Sequence, residues 1–170
     1  MKILVGLVGG ILFVIFGIVV IGALLPKRHV VTRSATFRAT PEQVFALITG
    51  PQSWRPDVRR SETISDPAGR TLLIETTGDG KTVTYELLAV TPPKSLTRRI
   101  ATPNLPYTGS WTFSLEPGNG ITTVRITEDG EVYNPLFRFV SRFILGHTRT
   151  IDDYFHALGQ ATSQKIEIKD

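Results

Sequence analysis

The sequence predicts an α+β domain that follows one long apolar helix. Residues 3–25 carry no charge, and residues 58–131 alternate between polar and apolar side chains in short segments separated by turn residues. From residue 134 onward the apolar residues recur with the period of a helix. Alternating segments are typical of an antiparallel sheet with one solvated face. The amphipathic helix is the element that can cover the other face.

The apolar run at residues 3–25 is long enough to cross a bilayer. It contains no charge, amide, hydroxyl or proline, and Pro26-Lys27-Arg28 closes it. A hydrocarbon core of about 30 Å needs about 20 apolar residues of helix. We therefore interpret the run as a transmembrane anchor. Two alternatives stay open: a cleaved secretory signal, which usually has an apolar stretch of only about 7–15 residues, and a buried helix of a soluble protein, which usually has a polar face.

Basic residues flank the run unequally. Lys2 precedes it, whereas four basic residues follow within the next dozen or so positions: Lys27, Arg28, Arg33 and Arg38. Because the more basic flank tends to stay in the cytoplasm, the bias favours a cytoplasmic domain.

Three glycines of the run fall on one helical face: Gly6, Gly10 and Gly17. The Gly6-x-x-x-Gly10 spacing lets two helices approach closely in a membrane. A homodimer through this face is therefore a further expectation.

The composition excludes several classes of site. The chain has no cysteine, so it has no disulfide, thiolate nucleophile or cysteine-ligated metal. Its net charge is +4, but the basic residues are scattered among acidic ones without a nucleic-acid-binding signature, and we expect no nucleic-acid partner.

The three histidines lack metal-ligand spacing. The glycine turns at residues 78–80 and 118–120 lack the following helix that would bind a phosphate. We expect neither a metal nor a cofactor.

The soluble part begins with a strand at residues 30–38 and a short helix. Thr40-Pro41-Glu42-Gln43 carries a capping residue, a proline suited to the first turn, and glutamine at the capping-box position. Gly50-Pro51 ends this helix, and Trp54 follows in a loop. Six further strands are predicted between turn signals, at residues 58–65, 70–77, 81–91, 95–102, 108–115 and 121–131.

A long amphipathic helix is predicted at residues 134–163, with Gly146 as a weak point that can mark a bend. Residues 164–170 are polar and are predicted to form a flexible tail. The domain boundaries are therefore an anchor at residues 3–25, a folded domain at residues 30–163 and the tail.

The order of elements resembles one known superfamily. The segment 39–48 with the following Trp54 is similar to the opening of the START/polyketide-cyclase (SRPBCC) helix-grip superfamily. Residues 109–115 with 120–124 resemble its penultimate hairpin, and residues 136–158 resemble its closing helix. The resemblance implies a curved antiparallel sheet of about seven strands wrapped around a long C-terminal helix. It also implies an apolar ligand cavity between them, and it brings no universal catalytic residue.

Several side chains are candidates to line such a cavity. They are aromatic or lie on the predicted apolar faces: Trp54, Tyr85, Tyr107, Trp111, Phe113, His147, Ile151 and Tyr154. His147 is expected on the apolar stripe of the long helix, where an imidazole can orient a ligand or transfer a proton near neutral pH. Glu75 and Glu86 lie on neighbouring predicted strands and form a possible carboxylate pair.

Three functions are compatible with the sequence. The leading hypothesis is a membrane-tethered protein that binds a hydrophobic or lipid-like small molecule without catalysis. The second is an enzyme resembling polyketide cyclases or dehydratases that uses a cavity histidine or tyrosine. The third is a non-catalytic interaction module of a membrane complex, in which the cavity is filled.

Overall fold

The computed structural model describes residues 2–170, with side chains from Gly6 onward. Eight strands form one antiparallel sheet in the order β2-β3-β4-β5-β6-β7-β1-β8. The strands are β1 Arg28–Phe37, β2 Val58–Ser65, β3 Thr71–Thr77, β4 Thr82–Thr91, β5 Ser95–Ile100, β6 Tyr107–Pro117, β7 Thr122–Val132 and β8 Ile168–Lys169. The helices are α1 Lys2–Leu24, α2 Pro41–Thr49, α3 Pro135–Val140 and α4 Arg149–Ala161, with a wide helical turn at Ser141–Leu145. The α+β prediction is confirmed.

Helix α2 begins and ends with side-chain caps. The amide of Gln43 donates to the Thr40 hydroxyl, and the amide of Thr40 donates to the Gln43 side chain, so the predicted capping box forms. At the other end the fully buried Gln52 donates from Nε2 to the carbonyl oxygens of Leu47, Ile48 and Gly50 at 2.9–3.1 Å. Gln52 therefore fixes the loop that carries Trp54 and Arg55 against the helix.

The core lies between the inner face of the sheet and α4. Its fully buried residues come from β1, β5, β6, β7, α2 and α4, and they include Phe37, Phe113, Ile126, Phe155 and Leu158. In β4 the alternation predicted through Ala89 is interrupted, because the pairing with β5 shifts between Leu87 and Ala89. The resulting bulge turns Ala89 to the exposed side.

The long helix predicted at residues 134–163 is interrupted. Gly146 has φ +76°, which is outside the helical region and is accessible to glycine at little cost. The helix therefore stops before Gly146 and α4 begins at Arg149. As a consequence His147 lies in the connection rather than on a helical stripe.

The C-terminal tail also differs from the prediction. Ile168 and Lys169 pair with Ala35 and Ser34 of β1, so the sheet has eight strands rather than about seven. Asp170 forms an ion pair with Arg33, another β1 residue. The free edge of β1 explains this pairing, since an unpaired strand edge offers donors and acceptors to any nearby extended segment.

From Gly6 to Ile21 helix α1 is mostly exposed, and the helix is long and apolar enough to cross a membrane. Its last turn packs on α3: Gly22 lies against the Pro135 backbone with no room for a β-carbon. Arg138, which is 7 % exposed, donates to the carbonyl oxygens of Ala23 at 3.4 Å and Leu25 at 2.8 Å. The dimer through Gly6, Gly10 and Gly17 stays a prediction.

Candidate ligand-binding cavity

A cavity of about 810 Å³ lies between the inner face of the sheet and α4. Small-molecule sites typically have volumes of about 300–1,000 Å³. Its walls come from α4, from β4 to β7 and the start of β1, from the loop after α2, and from the segment that connects β7 to α4. The apolar part of the lining comprises Ile100, Pro106, Val132, Phe137, Leu145 and Ala157 together with aromatic rings.

Five of the eight predicted residues line this cavity: Tyr85, Tyr107, Trp111, His147 and Tyr154. The other three lie behind the lining. Phe113 and Ile151 are fully buried in the core. Trp54 packs edge-on against the Tyr154 ring and donates from its indole N–H to the Leu47 carbonyl oxygen at 3.1 Å. Ligand contact by any of these residues stays a prediction.

An arginine is buried in the wall of the cavity. Arg98 is 3 % exposed, and its guanidinium carbon lies 4.9–5.5 Å from the centroids of four aromatic rings. The rings are those of Tyr85, Trp111, Phe113 and Tyr154. The faces of aromatic rings carry negative charge density, so this surrounding partly replaces the water that the cation has lost.

Glu75 joins two arginines beside the rings. Its carboxylate, 2 % exposed, accepts from Arg55 Nη1 at 2.8 Å and from Arg98 Nη1 at 3.5 Å. Arg55 also bonds both carboxylate oxygens of Asp57 at 3.2 and 2.5 Å. Glu86, the other member of the possible carboxylate pair, instead bonds the exposed Arg99 at 2.7 Å. Glu75 and Glu86 are therefore on opposite faces of the sheet and do not act together.

Tyr154 places a neutral hydroxyl in this region. Burial raises the pKa of Tyr154 to about 12, so the phenol keeps its proton at neutral pH. The hydroxyl donates to Gln52 Oε1 at 3.4 Å. Burial also raises the pKa of Tyr85, which lines the same part of the cavity.

A second polar group contains a histidine and a carboxylate. His29 Nε2 lies 3.0 Å from Glu128 Oε1, and the other oxygen of Glu128 accepts from Trp111 Nε1 at 2.7 Å and from the Thr150 hydroxyl at 3.4 Å. The His147 ring stacks on His29, with centroids 4.1 Å apart. Burial lowers the pKa of His147, and electrostatic repulsion from the neighbouring His29 ring lowers it further. A histidine imidazole held beside a carboxylate in a cavity is a candidate general base.

Sequence reasoning missed Arg98, Arg55, Glu128 and His29 as site residues. One signal was present for Arg98: consecutive strand residues point to opposite faces, so in the pair Arg98-Arg99 one side chain had to point inward. His29 and Glu128 are 99 residues apart in sequence and meet only because β1 pairs with β7. Within residues 2–170 no three acidic, histidine or cysteine side chains gather in a way that could hold a metal ion.

An antiparallel sheet that encloses a cavity with its C-terminal helix defines the START-like class of ligand-binding folds. A START superfamily protein from Mycobacterium smegmatis has this fold, with a TM-score of 0.62 and 15% identity over 79% of this chain and 97% of that one. Norcoclaurine synthase from Thalictrum flavum has a TM-score of 0.57 and 12% identity over 81% of this chain and 88% of that one. A protein from Mesorhizobium loti has a TM-score of 0.60 and 18% identity over 79% of this chain and 97% of that one. These likenesses concern the fold alone, and no curated protein matches the chain significantly.

The family model for polyketide cyclases, dehydrases and lipid transport matches residues 28–151. The chain belongs to this family, and the superfamily resemblance seen in the sequence is confirmed. The fold of the family supports a ligand-binding cavity at the position described above.

The lowered pKa of His147 can be measured by NMR. Of the three imidazole signals, the one that disappears in His147→Gln is expected to titrate below the ordinary value of 6.5. The folded state then favours neutral His147. The free energy of unfolding is therefore expected to decrease as the pH falls below 6.5, and to decrease less in His147→Gln. His156→Gln, on the exposed side of α4, is the matched control. A His147 signal that titrates at or above 6.5 contradicts the prediction.

Proposed function

We propose that this protein is a membrane-tethered binding protein for a hydrophobic or lipid-like small molecule. The observation that carries the proposal is the cavity of about 810 Å³ between the sheet and α4. Most of the wall area is apolar, and the polar and charged side chains that make up about half of the lining residues add hydrogen-bonding groups, a combination found in small-molecule sites. Membership of a family that includes lipid-transport proteins supports the same conclusion. A filled interaction module would not retain a space of this size.

Membrane tethering is supported by the surface around the cavity mouth. Five apolar residues beside α1 are 44–66 % exposed, and we call them the apolar rim: Leu136, Phe137, Phe143, Ile144 and Leu145. Phe137 and Leu145 also line the cavity. Exposed clusters of large apolar side chains mark interaction sites. Because α3 packs on the last turn of α1, a bilayer that holds α1 would meet the apolar rim at its surface.

The orientation that we propose rests on the charges that flank α1. Lys27 and Arg28 come directly after the apolar run, whereas only Lys2 precedes it. We therefore place the domain on the cytoplasmic side.

Ligand binding can be tested by reducing the cavity volume. Ile100 lies opposite Tyr85 in the sheet and lines the cavity. Ile100→Trp should lower the affinity for an apolar ligand by about tenfold or more, because overfilling a packed site costs about 1–3 kcal/mol. Native mass spectrometry of the full chain, released from detergent micelles, would reveal a retained apolar species. Leu88→Trp, on the exposed side of β4, is the matched control. The absence of any retained apolar molecule, or equal retention by both variants, contradicts the proposal.

The position of the apolar rim can be tested with single cysteines, since the chain has none of its own. Ile144→Cys lies in the rim, and Ile121→Cys lies in the β6–β7 turn, at the far end of β1 from α1. In nanodiscs a polarity-sensitive thiol dye is expected to report an apolar environment at position 144 and water at position 121.

Equal water exposure at the two positions contradicts membrane contact by the rim. In intact cells, the Ile121→Cys thiol should stay unlabelled by a membrane-impermeant reagent if the domain is cytoplasmic. Labelling of that thiol contradicts the orientation.

An enzymatic function is the second candidate, and the contact between His29 and Glu128 favours it. Both residues line the cavity, and the hydrogen bond of 3.0 Å orients the imidazole as a base. Norcoclaurine synthase, an enzyme, shares the fold. The corresponding reaction class is proton abstraction beside a carbonyl group of an apolar substrate.

The candidate base can be tested by deuterium exchange. The full chain should accelerate deuterium incorporation next to the carbonyl of a long-chain ketone. His29→Gln should reduce this acceleration by about 100-fold or more, the usual contribution of a general base. Arg125→Gln, on the exposed face of β7 and outside the cavity lining, should leave it unchanged. Exchange at the buffer rate with the unmodified chain would count against catalysis while leaving ligand binding open.

A further inference from the structure

The cavity contains a buried cation whose hydrogen-bonding capacity is not used. Arg98 is 3 % exposed, and its Nε has no hydrogen-bond partner among residues 2–170. Its bond to Glu75 measures 3.5 Å, and the same carboxylate already accepts from Arg55 at 2.8 Å. A guanidinium has five N–H donors, and a buried donor without an acceptor is costly. The four aromatic rings around it attract the charge but do not replace directed acceptors.

Three other charged groups of the cavity wall, Arg55, Asp57 and Glu128, are already paired. Asp57 bonds Arg55 through both oxygens, and Glu128 accepts from His29 and Trp111. Arg55 itself bonds both Asp57 and Glu75. Of these four side chains, Arg98 is the one with a buried donor that has no acceptor, and it lines the cavity.

The position of Arg98 defines a polar end of the cavity. In the sheet Arg98 of β5 lies opposite Trp111 of β6. Tyr107 is four residues before Trp111 on β6, which places the two residues about 13 Å apart at the usual rise of a strand. Tyr107 pairs with Val132, just before α3 and the apolar rim. The wall near Arg98 therefore holds a guanidinium donor without an acceptor, whereas Val132, Phe137 and Leu145 contribute apolar side chains near the rim, where Glu131 also lines the cavity.

From this arrangement we propose that the ligand is an amphipathic anion, with a carboxylate or similar acceptor bound to Arg98 and an apolar chain directed toward the rim. A planar carboxylate matches the guanidinium fork and would supply the missing acceptors. The inference rests on the proposed binding function and specifies the chemical class of its ligand.

The test compares two probes that differ only in the head group. Hexadecanoic acid and hexadecan-1-ol are bound to the full chain in nanodiscs at about pH 8, where the acid is ionised, with binding to empty nanodiscs subtracted. The unmodified chain is expected to bind the acid about tenfold or more tightly than the alcohol, as a charge-assisted hydrogen bond implies. Arg98→Met should abolish this preference and keep binding of the alcohol.

Two further variants serve as controls. Arg99→Gln removes the neighbouring arginine, which points to the exposed face of the sheet and bonds Glu86, and should keep the full preference. Arg98→Lys keeps the charge without the planar fork and should keep part of the preference. Glu75 retains Arg55 as a partner in Arg98→Met, so no unpaired carboxylate is left in the core.

The outcomes separate the two proposals. Equal affinity of the unmodified chain for acid and alcohol overturns the assignment of Arg98 while supporting apolar binding. A preference that survives in Arg98→Met overturns it as well. If neither probe binds, the proposed binding function fails, and the inference fails with it. The first comparison uses only the unmodified chain, so the proposal remains testable even if Arg98→Met does not fold.

Discussion

The structure depends on how much of the sheet's apolar face α4 can cover. A sheet with one apolar face must bury it against another element. Helix α4 has 13 residues and is about 20 Å long, because Gly146 ends the preceding helical segment with a backbone angle of φ +76°. It covers the part of the sheet that contains Phe37 and Phe113. Toward Tyr107 the inner face of the sheet is not covered to the same depth, and the cavity occupies that space.

One carboxylate, that of Glu75, pairs with both buried arginines of the cavity wall. Buried charges are tolerated when they are paired, and Glu75 bonds Arg55 from the loop after α2 and Arg98 from β5. The same contacts connect β3 and β5 to the loop that Gln52 fixes on α2. The wall near Arg98 is therefore polar and positionally defined, whereas Val132, Phe137 and Leu145 add apolar side chains to the wall near α3. This difference in chemistry along one cavity is the basis for expecting a ligand with two unlike ends.

Local patterns in the sequence predicted most of the fold. The capping box at Thr40, the turn residues and the alternation of β6 each follow from neighbouring residues, and all agree with the structure. Features that depend on distant partners were not predictable. The pairing of Ile168 with Ala35 joins residues far apart in sequence, and the bulge beside Ala89 changes the facing of a strand without a glycine or proline to mark it. The site residues follow the same rule: single aromatic positions were accessible to pattern reasoning, but the contacts of Glu128 and Arg98 require the strand order.

Arg138 relates the cavity to the end of α1. The last carbonyl groups of a helix have no partners within that helix, and the Arg138 guanidinium donates to those of Ala23 and Leu25. Only three residues separate α1 from β1, and Gly22 lies against Pro135, so the domain has little freedom to rotate about this junction. Helix α3 therefore carries the contact with α1 on one side and Phe137, part of the cavity lining, on the other. Under the proposed membrane tethering, this packing rather than a flexible linker would set the position of the cavity relative to the bilayer.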